Sequence, residues 1–238
     1  MKALILAAGR GERMRPLSDA LPKPMLAVGG KPLIVWQIER LRAAGIMELV
    51  VNTAWLPEPL HAAIGDGSAL GAHITWQDEP PGAWETGGGI ATALPLLGPE
   101  PFVVLSADIH TEFDYARLHA PARVIAAAPD TTCAHFVLVD NPPHHPHGDM
   151  ALDVAGRIVR QGALLNYGNI GVFHPVMFTG KPARTRWKLF PWAYEWVERG
   201  FVSGEHFAGR WENVGTPDQL ARLDHALSKD PPSTRSQS

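Results

Sequence analysis

Residues 3–16 read ALILAAGRGERMRP. Ala3–Leu6 are apolar enough to be a short buried strand, and the chain leaves it through Gly9 and Gly11, with Arg10, Arg13 and Arg15 crowded into six positions. A turn that merely reverses the chain needs one glycine and no such charge. Glycines let backbone N–H groups approach a ligand closely, and successive N–H groups in a tight bend form a concavity for anions. The first 31 residues hold six basic side chains against two acidic ones, a local +4 in a chain of net charge −3. The stretch therefore reads as a holder for a small anion at the carboxyl end of a strand. The alternative is a basic surface turn that binds nothing.

The strand before the loop sets the fold class. Glu48–Asn52, His73–Gln77 and Phe102–Leu105 are further strand candidates, several nearly continuous in apolar residues, as parallel strands covered on both faces are. Helical patterns lie between them. Pro32–Ala44 puts Leu33, Ile34, Ile38 and Leu41 on one face, with Pro32 suited to the first turn and Gly45 to the stop; a second helix runs from about Gly88 to Leu97. Such alternation predicts an α/β fold with a doubly wound, mostly parallel sheet, whose ligands bind beyond the strands' carboxyl ends. The second half is less regular. It predicts a strand at Ala134–Val139, a hairpin at Met150–Val159, a strand at Asn169–Phe173, a helix at Pro191–Arg199 and a last helix from Thr216-Pro217, forming a mixed α+β substrate lobe. A single domain is expected over 1–228, with a nucleotide-binding core mainly in 1–110 and a sugar-binding part mainly in 111–228. The polar stretch 229–238 is expected to be a disordered tail, with no further module attached.

Composition narrows the classes of function. Apolar residues make up 45% and charged residues 19%, the balance of a globular chain. The slightly acidic whole argues against nucleic acid as a partner, and no window is long enough to cross a bilayer. One cysteine, Cys133, rules out an internal disulfide and fits a reducing compartment; cytoplasm is the expected location. Its apolar neighbours Phe136–Leu138 suggest a buried structural thiol. Oligomeric state is not legible.

The loop matches neither standard phosphate motif. A dinucleotide fingerprint would need glycine where Met14 stands, which weighs against a nicotinamide oxidoreductase, and no P-loop pattern occurs. What remains is G9-x-G11-x-R13 followed by Pro16-Leu17 and Pro22-Lys23-Pro24. This pattern resembles the signature of the sugar-1-phosphate nucleotidylyltransferases. The segments WETGGG (84–89), LVDNPPHHPHGD (138–149) and VSGEHFAGRWENVGT (202–216) narrow the resemblance to a uridylyl-transferring branch that acts on N-acetylmuramate 1-phosphate in cell-wall recycling.

The resemblance implies attack by a sugar 1-phosphate oxygen on the α-phosphorus of a nucleoside triphosphate, with pyrophosphate leaving. A phosphate monoester has its second pKa near 6, so its oxygen is already mostly ionised and needs no general base. Catalysis then falls to alignment and charge neutralisation, for which Mg²⁺ is the expected cofactor. By resemblance, Arg13, Lys23 and Asp108 are the catalytic set. Ala8, Gly9, Gly11, Glu12, Arg13, Lys23, Glu85, Gly87, Gly88 and Ser106 would hold the nucleotide, the glycines after Glu85 giving it access to backbone groups. Asp149, Asn169 and Lys188 would contact the sugar phosphate, although Lys188 also reads as a solvated surface lysine. Asp108 and Asn213 would hold the metal. Asn213 stands where the family has an aspartate, and Ser106-Ala107 precede Asp108 where the family has Asn-Gly. Two other readings stay open: transfer to another sugar 1-phosphate with dTTP, GTP or CTP, and a catalytically weak nucleotide-sensing subunit. The tract His144-His145-Pro146-His147 has no standard zinc spacing; by resemblance it faces the sugar. Trp187, Trp192 and Trp196 are read as packing residues.

Overall fold

The computed structural model describes residues 1–229, so all but the first residue of the predicted tail lies outside the described residues. Nine strands frame the argument: β1 (Ala3–Leu6), β2 (Glu48–Thr53), β3 (His73–Asp78), β4 (Phe102–Ser106), β5 (Ile109–Thr111), β6 (Ala134–Val139), β7 (Asn166–Phe173), β8 (Val202–Phe207) and β9 (Trp211–Asn213). Seven of them form one sheet in the order β8-β6-β7-β4-β1-β2-β3. The run β4-β1-β2-β3 is parallel, β7 is antiparallel to both its neighbours, and β8 runs parallel to β6. Because β7 pairs with β4, the sheet continues without a break from the first half of the chain into the second.

Alternation along the strands divides the core. Ala3 and Ile5 of β1 face one side with Leu49, Val51, Val103 and Leu105, covered by Ile34, Ile38 and Leu41 of α1 (Leu33–Ala43). Leu4, Val50 and Val104 face the other side, covered by Ile90, Ala93 and Leu97 of α2 (Glu85–Leu97). Helices on both faces make the sheet doubly wound, as expected. Each fully buried aliphatic side chain contributes about 1.5–3 kcal/mol by leaving water, so truncating Ile5 would weaken the first layer and truncating Leu4 the second.

The chain steps outward from β1 to β2 to β3, then returns to β1's other side as β4. The strand order therefore reverses between β1 and β4, and the loops leaving their carboxyl ends diverge there, opening a crevice. Both Gly9–Arg13 and Asp108 leave from that point. A third apolar cluster joins Met14 to Val28, Leu33, Trp36, Val214 and Leu223, the last on α3 (Pro217–Lys229). It ties the N-terminal loop to the C-terminal helix.

Several sequence expectations are corrected. The second helix begins at Glu85, three residues before Gly88. The helix expected over Pro191–Arg199 is helical only over Tyr194–Glu198, because residues before it form turns in which Ala193 N–H donates to Leu189 and Tyr194 N–H to Pro191. The strand expected from Asn169 begins at Asn166 and is irregular between Tyr167 and Gly171, with Asn169 at φ +54°. A bulge of this kind takes a side chain out of the ladder and re-aims it. The sheet-edge strand β8 and helices at Pro57–Ile64 and His119–Ala127 escaped the sequence reading.

Candidate active site

The loop after β1 is held by main-chain contacts. Ala7 N–H donates to Asn52 Oδ1 (2.7 Å), Met14 N–H to the Gly11 carbonyl (2.8 Å), and Ser18 Oγ to the same carbonyl (2.8 Å). Met14 is wholly buried and pins the turn. Gly11 adopts φ +65°, where a side chain is strained, and a Cβ there would sit 3.1 Å from Lys23 Cβ. Glycine at 11 thus lets the loop close over Lys23. Gly9 faces open space.

Lys23 is buried, and its Nζ pairs with Asp108 Oδ2. The pair joins the Pro22-Lys23-Pro24 turn to the residue just past β4. Ala107 N–H donates to Leu6 (3.0 Å) and Val214 N–H to the Asp108 carbonyl (2.9 Å), so Asp108 is fixed to both β1 and the chain after β9. In the β5–β9 ladder Asn213 is the partner of Ile109, beside Asp108. Asn213 Oδ1 is buried and has no hydrogen-bond partner among the described residues. Glu212, on the opposite face of β9, turns to Arg210 Nε (2.9 Å). His110, next in β5, is pushed down to about 4, first by burial and then by Arg40 and Arg210, so it stays neutral at physiological pH.

Two adjoining clefts result. The larger, about 840 Å³, is lined by Ala8, Gly9, Gly11, Glu12, Arg13, Lys23, Glu85, Ser106 and Asp108, and also by Asn52, Trp55, Glu79 and Arg186. The smaller, about 380 Å³, is lined by His144, His145, Asp149, Asn166, Asn169 and Asn213 together with aromatic side chains. Arg13 borders both. Its guanidinium lies 3.2 Å from where a Cβ of Gly215 would be, so a side chain there would crowd it and glycine leaves it free.

Three of the sequence-assigned residues lie outside both clefts. A Cβ on Gly87 would sit 2.3 Å from the Trp187 ring, and one on Gly88 would sit 2.0 Å from the Thr185 carbonyl. These glycines admit the 184–188 loop against α2, and Gly88 N–H donates to the Trp187 carbonyl (3.1 Å). Lys188 is exposed and borders neither cleft. Trp187 and Trp192 meet edge to face, Trp192 and Trp196 likewise, consistent with packing. Cys133 is buried, its thiol pushed up to about 12, chiefly by burial.

Other cleft residues went unread. Glu79 is 7% exposed, and its carboxylate accepts from Asn52 Nδ2 (2.7 Å), Gln77 Nε2 (3.3 Å) and Trp84 N–H (2.8 Å). Asn52 passes the constraint on to Ala7, so one buried network ties the phosphate-type loop to the start of α2. Gly89 belongs to it: a Cβ there would lie 2.9 Å from Asn52 Nδ2. At the rim, Arg186 pairs with Glu85 (3.0 Å) and the Arg10 guanidinium lies 4.4 Å from the Trp55 ring centroid. The signal available was positional, since Asn52 and Glu79 are polar residues at or just past the carboxyl ends of apolar strands.

A doubly wound sheet with a glycine–arginine loop and an acidic residue at its reversal point defines a protein built to hold a nucleotide's phosphates. The model of the nucleotidyl transferase family matches residues 2–162, and the chain belongs to that family. It is 46% identical over 223 residues to the N-acetylmuramate alpha-1-phosphate uridylyltransferase of Neisseria meningitidis, covering 92% of this chain and 95% of that one. A Caulobacter vibrioides protein of the same name is 33% identical, over 95% and 97% of the two chains. Among solved structures, a putative glucose-1-phosphate thymidylyltransferase from Bacillus anthracis superposes with a TM-score of 0.80 at 20% identity, over 97% of this chain and 96% of that one, a likeness of fold.

Proposed function

We propose that the protein transfers a uridylyl group from UTP to N-acetylmuramate 1-phosphate, giving UDP-N-acetylmuramate and pyrophosphate. The observation that carries this reading is the position of Arg13, shared by a nucleotide-sized cleft and a second, polar pocket. The bond to be made lies between two phosphates, and a cation at the junction can face both. The near full-length likeness to two uridylyltransferases supports the choice of sugar and base.

The chemistry follows from charge. The incoming phosphate oxygen is ionised without help, so the protein's task is to bring two anions together in line and to stabilise the departing pyrophosphate. The loop over Gly9–Arg13 offers backbone N–H groups and the Arg13 fork, while Lys23 supplies a fixed ammonium below it. The pocket lined by Asp149, Asn169 and Asn213 would seat the sugar. Gly87 and Gly88 would act at one remove, by letting the 184–188 loop place Arg186 beside Glu85 at the rim.

Mg²⁺ suits this donor set: Asp108 offers a carboxylate, and Asn213 Oδ1 is a buried acceptor without a partner among the described residues. Asp108 and Asn213 would hold it, and when bound it would neutralise phosphate charge. For that, Asp108 must share its carboxylate with Lys23. Among the described residues no helix is long and apolar enough to cross a membrane. Consumption of UTP and a single buried thiol fit an enzyme of the cytoplasm. The test is a matrix of four nucleoside triphosphates against several sugar 1-phosphates, with and without Mg²⁺, read by pyrophosphate release. Release dependent on UTP, N-acetylmuramate 1-phosphate and Mg²⁺ together is expected. A different productive pair would replace the assignment, and none at all would favour a nucleotide-sensing subunit.

A further inference from the structure

The histidine tract 144–147 is the motif that this chemistry leaves unused. His144 and His145 border the 380 Å³ pocket, and its only carboxylate is Asp149. Both oxygens of Asp149 are engaged: Oδ1 with His145 Nε2 at 3.0 Å, and Oδ2 with the Tyr167 N–H at 2.9 Å. Asp149 keeps its negative charge but turns both oxygens to these partners, and the groups of the pocket able to carry positive charge are Arg13 and the two imidazoles. His145 donates from Nε2 to Asp149, so Nδ1 can donate to an anionic ligand only in the doubly protonated ring; in the neutral ring it is an acceptor. His144 is tethered more loosely, its Nδ1 lying 3.5 Å from Gln219 Nε2. The pocket is thus equipped for a second negative charge, beyond the phosphate that Arg13 meets at the cleft junction.

N-acetylmuramate carries such a charge, the carboxylate of the lactyl ether on its sugar ring. We infer that His144 and His145 read this lactyl carboxylate and set the choice between N-acetylmuramate 1-phosphate and N-acetylglucosamine 1-phosphate, the same sugar phosphate without the ether. The inference rests on the uridylyltransferase reading above. Asp149 is then a positioning residue that orients His145, not a direct sugar ligand. A hydrogen bond to a charged group is the kind of contact whose loss separates two otherwise similar substrates.

The test compares kcat/KM for the two sugar phosphates with UTP, by pyrophosphate release, in the wild type, His144→Gln, His145→Gln and the double variant. His147→Gln serves as a control, since His147 lies in the same tract and borders neither cleft. The wild type is expected to favour N-acetylmuramate 1-phosphate, and the double variant to lose about 10–100-fold of that preference. The loss should fall on N-acetylmuramate 1-phosphate alone, leaving the lactyl-free substrate unchanged; calorimetric binding of each sugar phosphate should show the same split. Equal losses on both substrates, an unchanged ratio, or a wild type without preference would overturn the inference while the uridylyltransferase reading stands. No turnover of either sugar phosphate with UTP would remove that reading and this inference with it.

Discussion

The two clefts are built by different means. Strand ends and main-chain hydrogen bonds make most of the nucleotide cleft: Ala7, Ala107 and Val214 N–H groups all anchor its loops, and its floor is the half-buried Lys23–Asp108 pair. Loops and side-chain pairs make the smaller pocket, with His145 on Asp149, His144 near Gln219, and Asn169 displaced by an irregular strand. A main-chain anchor survives exchange of its own residue's side chain, although Ala7 still depends on Asn52 Oδ1. Side-chain anchoring can be altered one residue at a time. This contrast suits a transferase whose phosphate chemistry is constant while its sugar must be selected.

The largest expected effect lies where the two constructions meet. Arg13→Ala removes the one side chain that borders both clefts and should lower kcat by about 10²–10³, roughly 3–4 kcal/mol of transition-state stabilisation. Steady-state rates against both substrates decide it. A fall confined to the KM of one substrate would assign Arg13 to a single cleft and dissolve the junction.

Next comes the buried network. Glu79→Ala strands the donors of Asn52 and Trp84, each costing about 1–3 kcal/mol if left unpaired, while Gln77 Nε2 keeps its bond to the Gly89 carbonyl. Water entering the gap would offset part of that. Denaturant unfolding should show a clear loss of stability, and the KM for UTP should rise more than that for the sugar phosphate. Equal rises would mean that the network supports the whole sheet rather than the nucleotide side.

The sequence exposed these constructions unequally. Apolar strands β1 to β4, their two covering helices and the loop with Gly9, Gly11 and Arg13 were readable because periodicity and glycine spacing are local signals. Lys23 and Asp108 lie 85 positions apart, and only the family resemblance joined them. The packing of glycines 87 and 88 against Trp187 and Thr185 was not legible, because a glycine that admits a ligand and one that admits a tryptophan look alike in one dimension. Asn52 and Glu79 offered only their positions at strand ends, because their value lies in each other. The edge strand β8 was hidden by its glycine and its polar, half-exposed face.

Asn213→Asp sharpens the comparison at the metal. The substitution adds a negative charge on the residue paired with Ile109, the neighbour of Asp108, where a neutral carbonyl oxygen without a partner among the described residues now lies. The Mg²⁺ concentration for half-maximal rate should fall severalfold. Lys23 is already paired with Asp108 and Arg13 shares the smaller pocket with Asn213, so the added charge could engage one of these cations instead. An unchanged or raised Mg²⁺ requirement would reject Asn213 as a metal ligand.

The smallest effect is expected at Lys188. The resemblance gave it the sugar phosphate, yet it is exposed and borders neither cleft, while its neighbours Trp187 and Leu189 turn inward. An exposed lysine is screened by water and ions and contributes little to a distant anion. Lys188→Ala should change stability by no more than about 0.5 kcal/mol and the KM for sugar phosphate by about twofold at most. A tenfold or larger rise in that KM, with UTP unaffected, would mean that the 184–190 loop swings inward when the sugar phosphate binds. The smaller pocket would then be completed by its ligand, whereas the nucleotide cleft is already formed without one.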